Sequence, residues 1–131
     1  MQRESSVKNP SLDARAVDQR GILAEFLAAG IHVNDVADLV NTSASYRELY
    51  PILVRHLDLP HERSIRECII RGLTTKDARD IAESALLRHF RTEQDSHLRW
   101  VLANALKTVM PYHKRKKFPE IAHAFANYRS I

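Results

Sequence analysis

The sequence predicts an all-α protein of about six to seven helices in a single domain. Three observations carry that expectation. Strand-type alternation is nowhere sustained, and the chain has only three glycines. Apolar residues recur instead at helical spacing. Finally, the stretch Leu53 to Leu73 is written again at Leu86 to Leu106, with a shift of 33 residues and no gap. Leu53-Val54-Arg55-His56-Leu57 falls on Leu86-Leu87-Arg88-His89-Phe90, and Ile65-Arg66 falls on Leu98-Arg99. One supersecondary unit is therefore used at least twice.

Composition bounds the rest. A length of 131 residues suits one hydrophobic core. With 44% hydrophobic and 27% charged residues the chain reads as an ordinary soluble protein. No apolar run approaches the ~20 residues of a membrane span. Met1 to Arg20 is polar and mixed in charge, unlike a signal peptide, so the expected location is the cytoplasm. Cys68 is the only cysteine and reads as a small buried hydrophobe rather than a nucleophile. Charge is uneven: residues 1–45 hold four Lys and Arg against six Asp and Glu, residues 46–131 sixteen against ten. The basicity lies with the repeats.

In chain order, residues 1–11 read as a flexible tail and residues 12–45 as N-terminal capping helices. The first of these carries Ala16, Ile22, Leu23, Phe26 and Leu27 at helical spacing, with Gly30 as its left-handed cap. Gly21 weakens its interior. A shorter helix follows, with Val36, Leu39 and Val40 on one face and Asn41-Thr42-Ser43 closing it. Residues 46–75 form repeat one. Ser45-Tyr46-Arg47-Glu48 has the spacing of a capping box, Leu49, Ile52, Leu53 and Leu57 form a stripe, and Pro60 opens a partner helix carrying Ile65, Cys68, Ile69 and Leu73. Residues 76–111 form repeat two. Thr74 to Asp77 caps a helix with the stripe Ile81, Ala85, Leu86 and Phe90, and Asp95 or Ser96 starts its partner, with Leu98, Val101, Leu102, Ala105, Leu106 and Val109 inward. Residues 112–131 read as a half repeat or C-terminal cap, because Phe118-Pro119-Glu120-Ile121 matches Tyr50-Pro51-Ile52-Leu53 at a shift of 68.

The helix, turn and Ser64-Ile65-Arg66-Glu67-Cys68 of the first copy, with Asp95-Ser96-His97-Leu98-Arg99 of the second, resemble HEAT repeats. The stretch Leu98 to Leu106 is similar to that in short bacterial HEAT-repeat proteins. The resemblance spans Tyr46 to Phe125. It implies a short right-handed α-solenoid, an armadillo-like superhelix of antiparallel helical pairs. The period also fits ankyrin and is one short of the tetratricopeptide repeat, but neither motif can be placed.

In such repeats an arginine at the place of Arg66 and Arg99 commonly joins a ladder with acidic groups. Here Glu93 or Asp95 is the expected partner of Arg99, while Pro60 stands where Arg66 would need an acid. Between the copies, the apolar positions agree but Glu67 faces Trp100 and Arg71 faces Asn104. Arg66, Glu67, Arg71, Arg99, Trp100, Asn104 and Lys107 are accordingly the candidate partner-binding residues, on one concave surface of the second helices. His113, Lys114, Arg115, Lys116 and Lys117 form a basic loop, either solvated or in contact with phosphates or an acidic partner.

His56 and His89 are repeat equivalents, but without a His-Glu-x-x-His motif or a cysteine pair no metal site is expected. Nor is there a phosphate loop, a nucleophile elbow or a recognisable carboxylate pair, so neither cofactor nor catalysis is expected. The leading expectation is a non-enzymatic protein-binding module, of immunity or adaptor type, whose partner is another protein such as a toxin or effector. The alternative is a basic nucleic-acid-binding protein resembling the HEAT-like DNA glycosylases, which are longer and whose catalytic acid has no match here.

Overall fold

The computed structural model describes residues 10–128 apart from 41 and 43, and these are all-helical, with no strand among them. Residues 1–9 of the expected tail, and Asn41 and Ser43, lie outside the described residues. The α-helices are α1 (Pro10–Asp18), α2 (Arg20–Ala28), α3 (Tyr50–His56), α4 (Arg63–Gly72), α5 (Arg79–Thr92), α6 (Ser96–Val109), the single turn α7 (Tyr112–Arg115) and α8 (Pro119–Tyr128). Three 3₁₀ turns, Val36–Leu39, Arg47–Leu49 and Lys76–Ala78, join them.

The N-terminal segment expected as one helix is divided at Gln19, not at Gly21. Gln19 is buried, its amide oxygen accepts from the Val36 backbone N–H at 2.9 Å, and its amide nitrogen donates to Asp35 at 3.1 Å. A polar side chain turned inward needs such partners, and they anchor the division to the following 3₁₀ turn. That turn stands where a longer capping helix was expected, with Asp35 as its cap. The segment closes at Gly30, whose φ of 93° lies in the left-handed region.

The second helices start as their N-caps dictate. Glu62 accepts from the backbone N–H of Ser64, and Asp95 from that of Leu98. The capping box at Ser45 is not formed, because the Ser45 hydroxyl donates instead to Asp77 at 2.6 Å. α3 enters through the 3₁₀ turn Arg47–Leu49, with Pro51 in its first turn.

Helices pack in a regular order. α1 lies against α4, and α4 against α6, which α8 covers; α2 lies against α3, and α3 against α5. Each repeat also packs internally, α3 on α4 and α5 on α6. The core runs through both repeats: Leu53, Leu57, Ile65, Ile69 and Leu73 are buried, and so are their counterparts Leu86, Phe90, Leu98, Leu102 and Leu106. Ile70 and Ala103, also equivalent, are buried as well and extend the expected stripes. In α5 the inward residue is Ala82, while Ile81 is 40% exposed. Phe118-Pro119 suggested a first helix for a third unit, yet α8 packs on α6, in line with α4.

The repeat arginines have a shared task. Arg66 Nη1 donates to the Leu57 carbonyl at 2.9 Å, and Arg99 Nη1 to the Phe90 carbonyl at 2.6 Å. Each ties a second helix to the end of its own first helix, where carbonyls lack intrahelical partners. Arg66 is not left free: it also donates to Glu93 at 3.2 Å, so Glu93 serves Arg66 and not Arg99. Asp95 in turn pairs with Arg63 at 2.6 Å. The ladder runs between repeats, from the first copy to acids of the second.

Gly72 ends α4, and a Cβ there would meet Leu53 at 3.4 Å and Leu39 at 3.5 Å, close to ordinary contact. Its counterpart, Ala105, is fully buried. Gly72→Ala is expected to stabilise the fold by about 0.5 kcal/mol, chiefly by narrowing the unfolded ensemble. Arg99→Met keeps the stem over Phe90 but strands the carbonyl, and should cost about 1–2 kcal/mol. Urea unfolding of both variants beside the parent checks these signs.

Candidate functional site

The face that α4 and α6 turn away from the first helices collects the residues that differ between the copies. Glu67 on α4 accepts from Arg71 Nε at 2.8 Å, one turn along, and is bonded to His97 Nε2 on α6 at 2.9 Å. The Arg71 guanidinium stands 5.9 Å from the Trp100 ring centre. Trp100 stacks with Phe125 of α8, centroids 5.4 Å apart and planes inclined by 14°, and lies beside the His97 ring at 6.5 Å. Lys107 Nζ sits 3.9 Å from the centre of the Phe125 ring. Cation over aromatic face is an attractive arrangement. The result is a ribbon of alternating charge and aromatic surface: Glu67, Arg71, His97, Trp100, Phe125, Lys107.

Electrostatics hold the ribbon together. Burial pushes the Glu67 carboxyl up, but the hydrogen bonds from Arg71 and His97 outweigh it and hold the carboxyl below its ordinary value. Asn104, half-buried on the same helix, joins Arg71 in lining an adjoining cleft of about 520 Å³. Tyr50, Arg47 and Asp77 also line this cleft. Asp77 accepts from Ser45 at 2.6 Å and from Arg47 at 2.5 Å, and both lower its pKa.

Five of the seven candidate partner-binding residues, Glu67, Arg71, Trp100, Asn104 and Lys107, are thus assembled along this face and the cleft beside it. Arg66 and Arg99 are not among them. Both turn their guanidinium groups toward first-helix carbonyls, and Arg99 also stacks on the Phe90 ring at 4.0 Å. Sequence reasoning missed His97 and Phe125. His97 could have been found, since it lies one helical turn before Trp100; nothing in the repeat pattern marks Phe125, which comes from α8.

The basic segment divides too. Arg115 donates to the carbonyls of Lys107 and Met110 and so closes the end of α6, and Lys114 pairs with Glu83 of α5. His113, Lys116 and Lys117 are exposed, as is Tyr112 at 69%. Cys68 is half-buried rather than enclosed, with the Arg15 guanidinium 3.8 Å from its sulfur; burial raises its pKa despite that cation. His56 and His89 each turn Nε2 to a carboxylate of a preceding helix or turn, Glu25 and Asp58.

No family model, curated protein or solved structure matches the chain.

Because Glu67 is held below its ordinary value of 4.5, its bonds contribute stability that is fully present above that value. The contribution is lost as pH falls through the lower, folded value. Unfolding free energies of the parent and Glu67→Gln should therefore differ at neutral pH and converge as the pH falls through the folded value of Glu67.

Proposed function

We propose that this chain is a non-enzymatic protein-binding module, a short right-handed solenoid of HEAT-like pairs that binds through its second-helix face. The observation that supports this is the aromatic pair Trp100 and Phe125 flanked by the cations Arg71 and Lys107. Aromatic residues and arginine concentrate binding energy at interfaces. The helix order, with second helices stacked α4 on α6 and first helices α3 on α5, supports the solenoid reading. The chemistry of the ribbon suits a protein segment that carries carboxylates beside an apolar side chain, the carboxylates meeting Lys107 and Arg71. An immunity-type or adaptor role, with one partner neutralised or recruited, is the form we favour.

A nucleic-acid reading draws on the exposed His113, Lys116 and Lys117 and on the excess of cations after residue 45. Two of the five basic-loop residues, Lys114 and Arg115, are engaged within the fold, which weakens it.

Lys107→Glu leaves the core untouched and should lower affinity for a captured partner about tenfold or more. Retention from native lysate at moderate salt, compared between parent and variant, checks this. Equal retention by both, or none by either, overturns the ribbon as the binding site. A mobility shift with DNA that fades steeply between two salt concentrations would transfer the function to the basic segment.

A further inference from the structure

Away from that face, four titratable side chains, from α1, α2, α3 and the segment between α3 and α4, make one hydrogen-bonded chain. Glu25 of α2 meets His56 Nε2 at 2.7 Å, His56 Nδ1 meets His61 Nε2 at 2.8 Å, and His61 Nδ1 meets Asp18 of α1 at 2.7 Å. The two rings are inclined by 29°, centroids 5.1 Å apart, and are almost wholly removed from solvent, at 6% and 7% side-chain exposure. Among the described residues no other charged group breaks into the chain. Arg55 of α3 is paired with the other oxygen of Glu25, and the Glu62 backbone N–H before α4 donates to Asp18 at 2.9 Å. The Glu62 side chain is turned to Ser64, and Asp58 is turned to Arg88 and His89 of α5.

Counting protons decides what the chain is. Both carboxylates are acceptors: Glu25 also receives Arg55, and Asp18 also receives the Glu62 N–H. His56 Nε2 and His61 Nδ1 must then each carry hydrogen. Two neutral rings have no further N–H, so Nδ1 and Nε2 would face each other at 2.8 Å as two lone pairs. A third proton completes the middle bond.

We propose that the His56–His61 pair binds one proton in excess of two neutral rings, and that this proton fastens α1 and α2 to the first repeat. Uptake forms the N–H···N bond between the rings and gives the pair a single positive charge between two carboxylates. Loss of the proton to water breaks that bond and sets lone pair against lone pair. A second excess proton is refused, because burial first, then the charges of His61 and Arg55, lower the pKa of His56 to about 4. The clamp is therefore complete while the pair holds its one excess proton, and it opens when rising pH removes that proton; imidazoles are the side chains whose charge changes between about pH 5 and pH 8.

The test uses the full chain, by NMR and hydrogen exchange, from about pH 5 to about pH 9. At the lower end, long-range proton–nitrogen spectra should show three of the four ring nitrogens of His56 and His61 protonated. Across the titration of the pair, exchange protection in α1 and α2, corrected for intrinsic rate, should fall about threefold to tenfold relative to that in α6. His61→Gln places there the residue found at the repeat-equivalent Gln94, and the pH step should vanish in it. Two protonated nitrogens at the lower end, a flat profile in the parent, or an undiminished step in His61→Gln would each overturn the proposal.

Discussion

The structure depends first on a guanidinium that reaches from one helix of a pair to a carbonyl at the C-terminal end of the other. α3 is only seven residues long; the turn after it satisfies the carbonyls of Val54, Arg55 and His56 through the backbone N–H groups of Leu57, Asp58 and Leu59, and the carbonyl of Leu57 itself is taken by a side chain. Arg66 supplies one donor to Leu57 and keeps others for His89 and Glu93 of the next unit. Its planar fork allows this division, which a lysine could not reproduce. The same atom of Arg99 repeats the bond to Phe90. Arg66 thus fixes both pair geometry and pair-to-pair geometry, and Arg99 repeats the first of these.

A second device complements it. Each first helix carries an Arg-His dipeptide that grips one carboxylate of the preceding element: Arg55 and His56 hold Glu25, and Arg88 and His89 hold Asp58. Continuing by 33 residues from Asp58 reaches Arg91, where the sign is reversed. Arg91 lies over the Phe118 ring at 5.2 Å. A further unit could not be held by the same grip, and the chain beyond α6 attaches differently. There, Ile121 is buried and Phe125 stacks on Trp100. Charge orders the repeats; apolar packing closes them.

This explains why the interior was legible in the sequence and several ends were not. Apolar periodicity reports burial, and the inward positions read for α6 are all buried. It fails where a helix enters through a 3₁₀ turn, as at Ile81. There the repeat itself was the better guide, because Ile81 corresponds to exposed Glu48 and Ala82 to buried Leu49. The capping box at Ser45 obeyed a local rule, but a carboxylate 32 positions away competes for the hydroxyl. Aligning copies also concealed the partner of Arg66. Alignment compares Pro60 with Glu93 as equivalents, whereas the contact runs from one copy to the next, so the acid belongs to the later copy.

The same distinction bears on the α4–α6 face. Residues shared by the copies, Arg66 with Arg99 and His56 with His89, are used within the scaffold. Residues that differ meet each other across the α4–α6 boundary. Ser64 has become His97, which takes Glu67, and Glu67 has become Trp100, which takes Arg71. Divergence between the copies is complementary at these two positions, where His97 meets Glu67 and Trp100 meets Arg71. The apolar stripes and repeat arginines fix the stack of the two pairs. The divergent set adds an aromatic surface edged with cations, which attaches α8 through the Trp100–Phe125 stack and is the surface we propose for a partner.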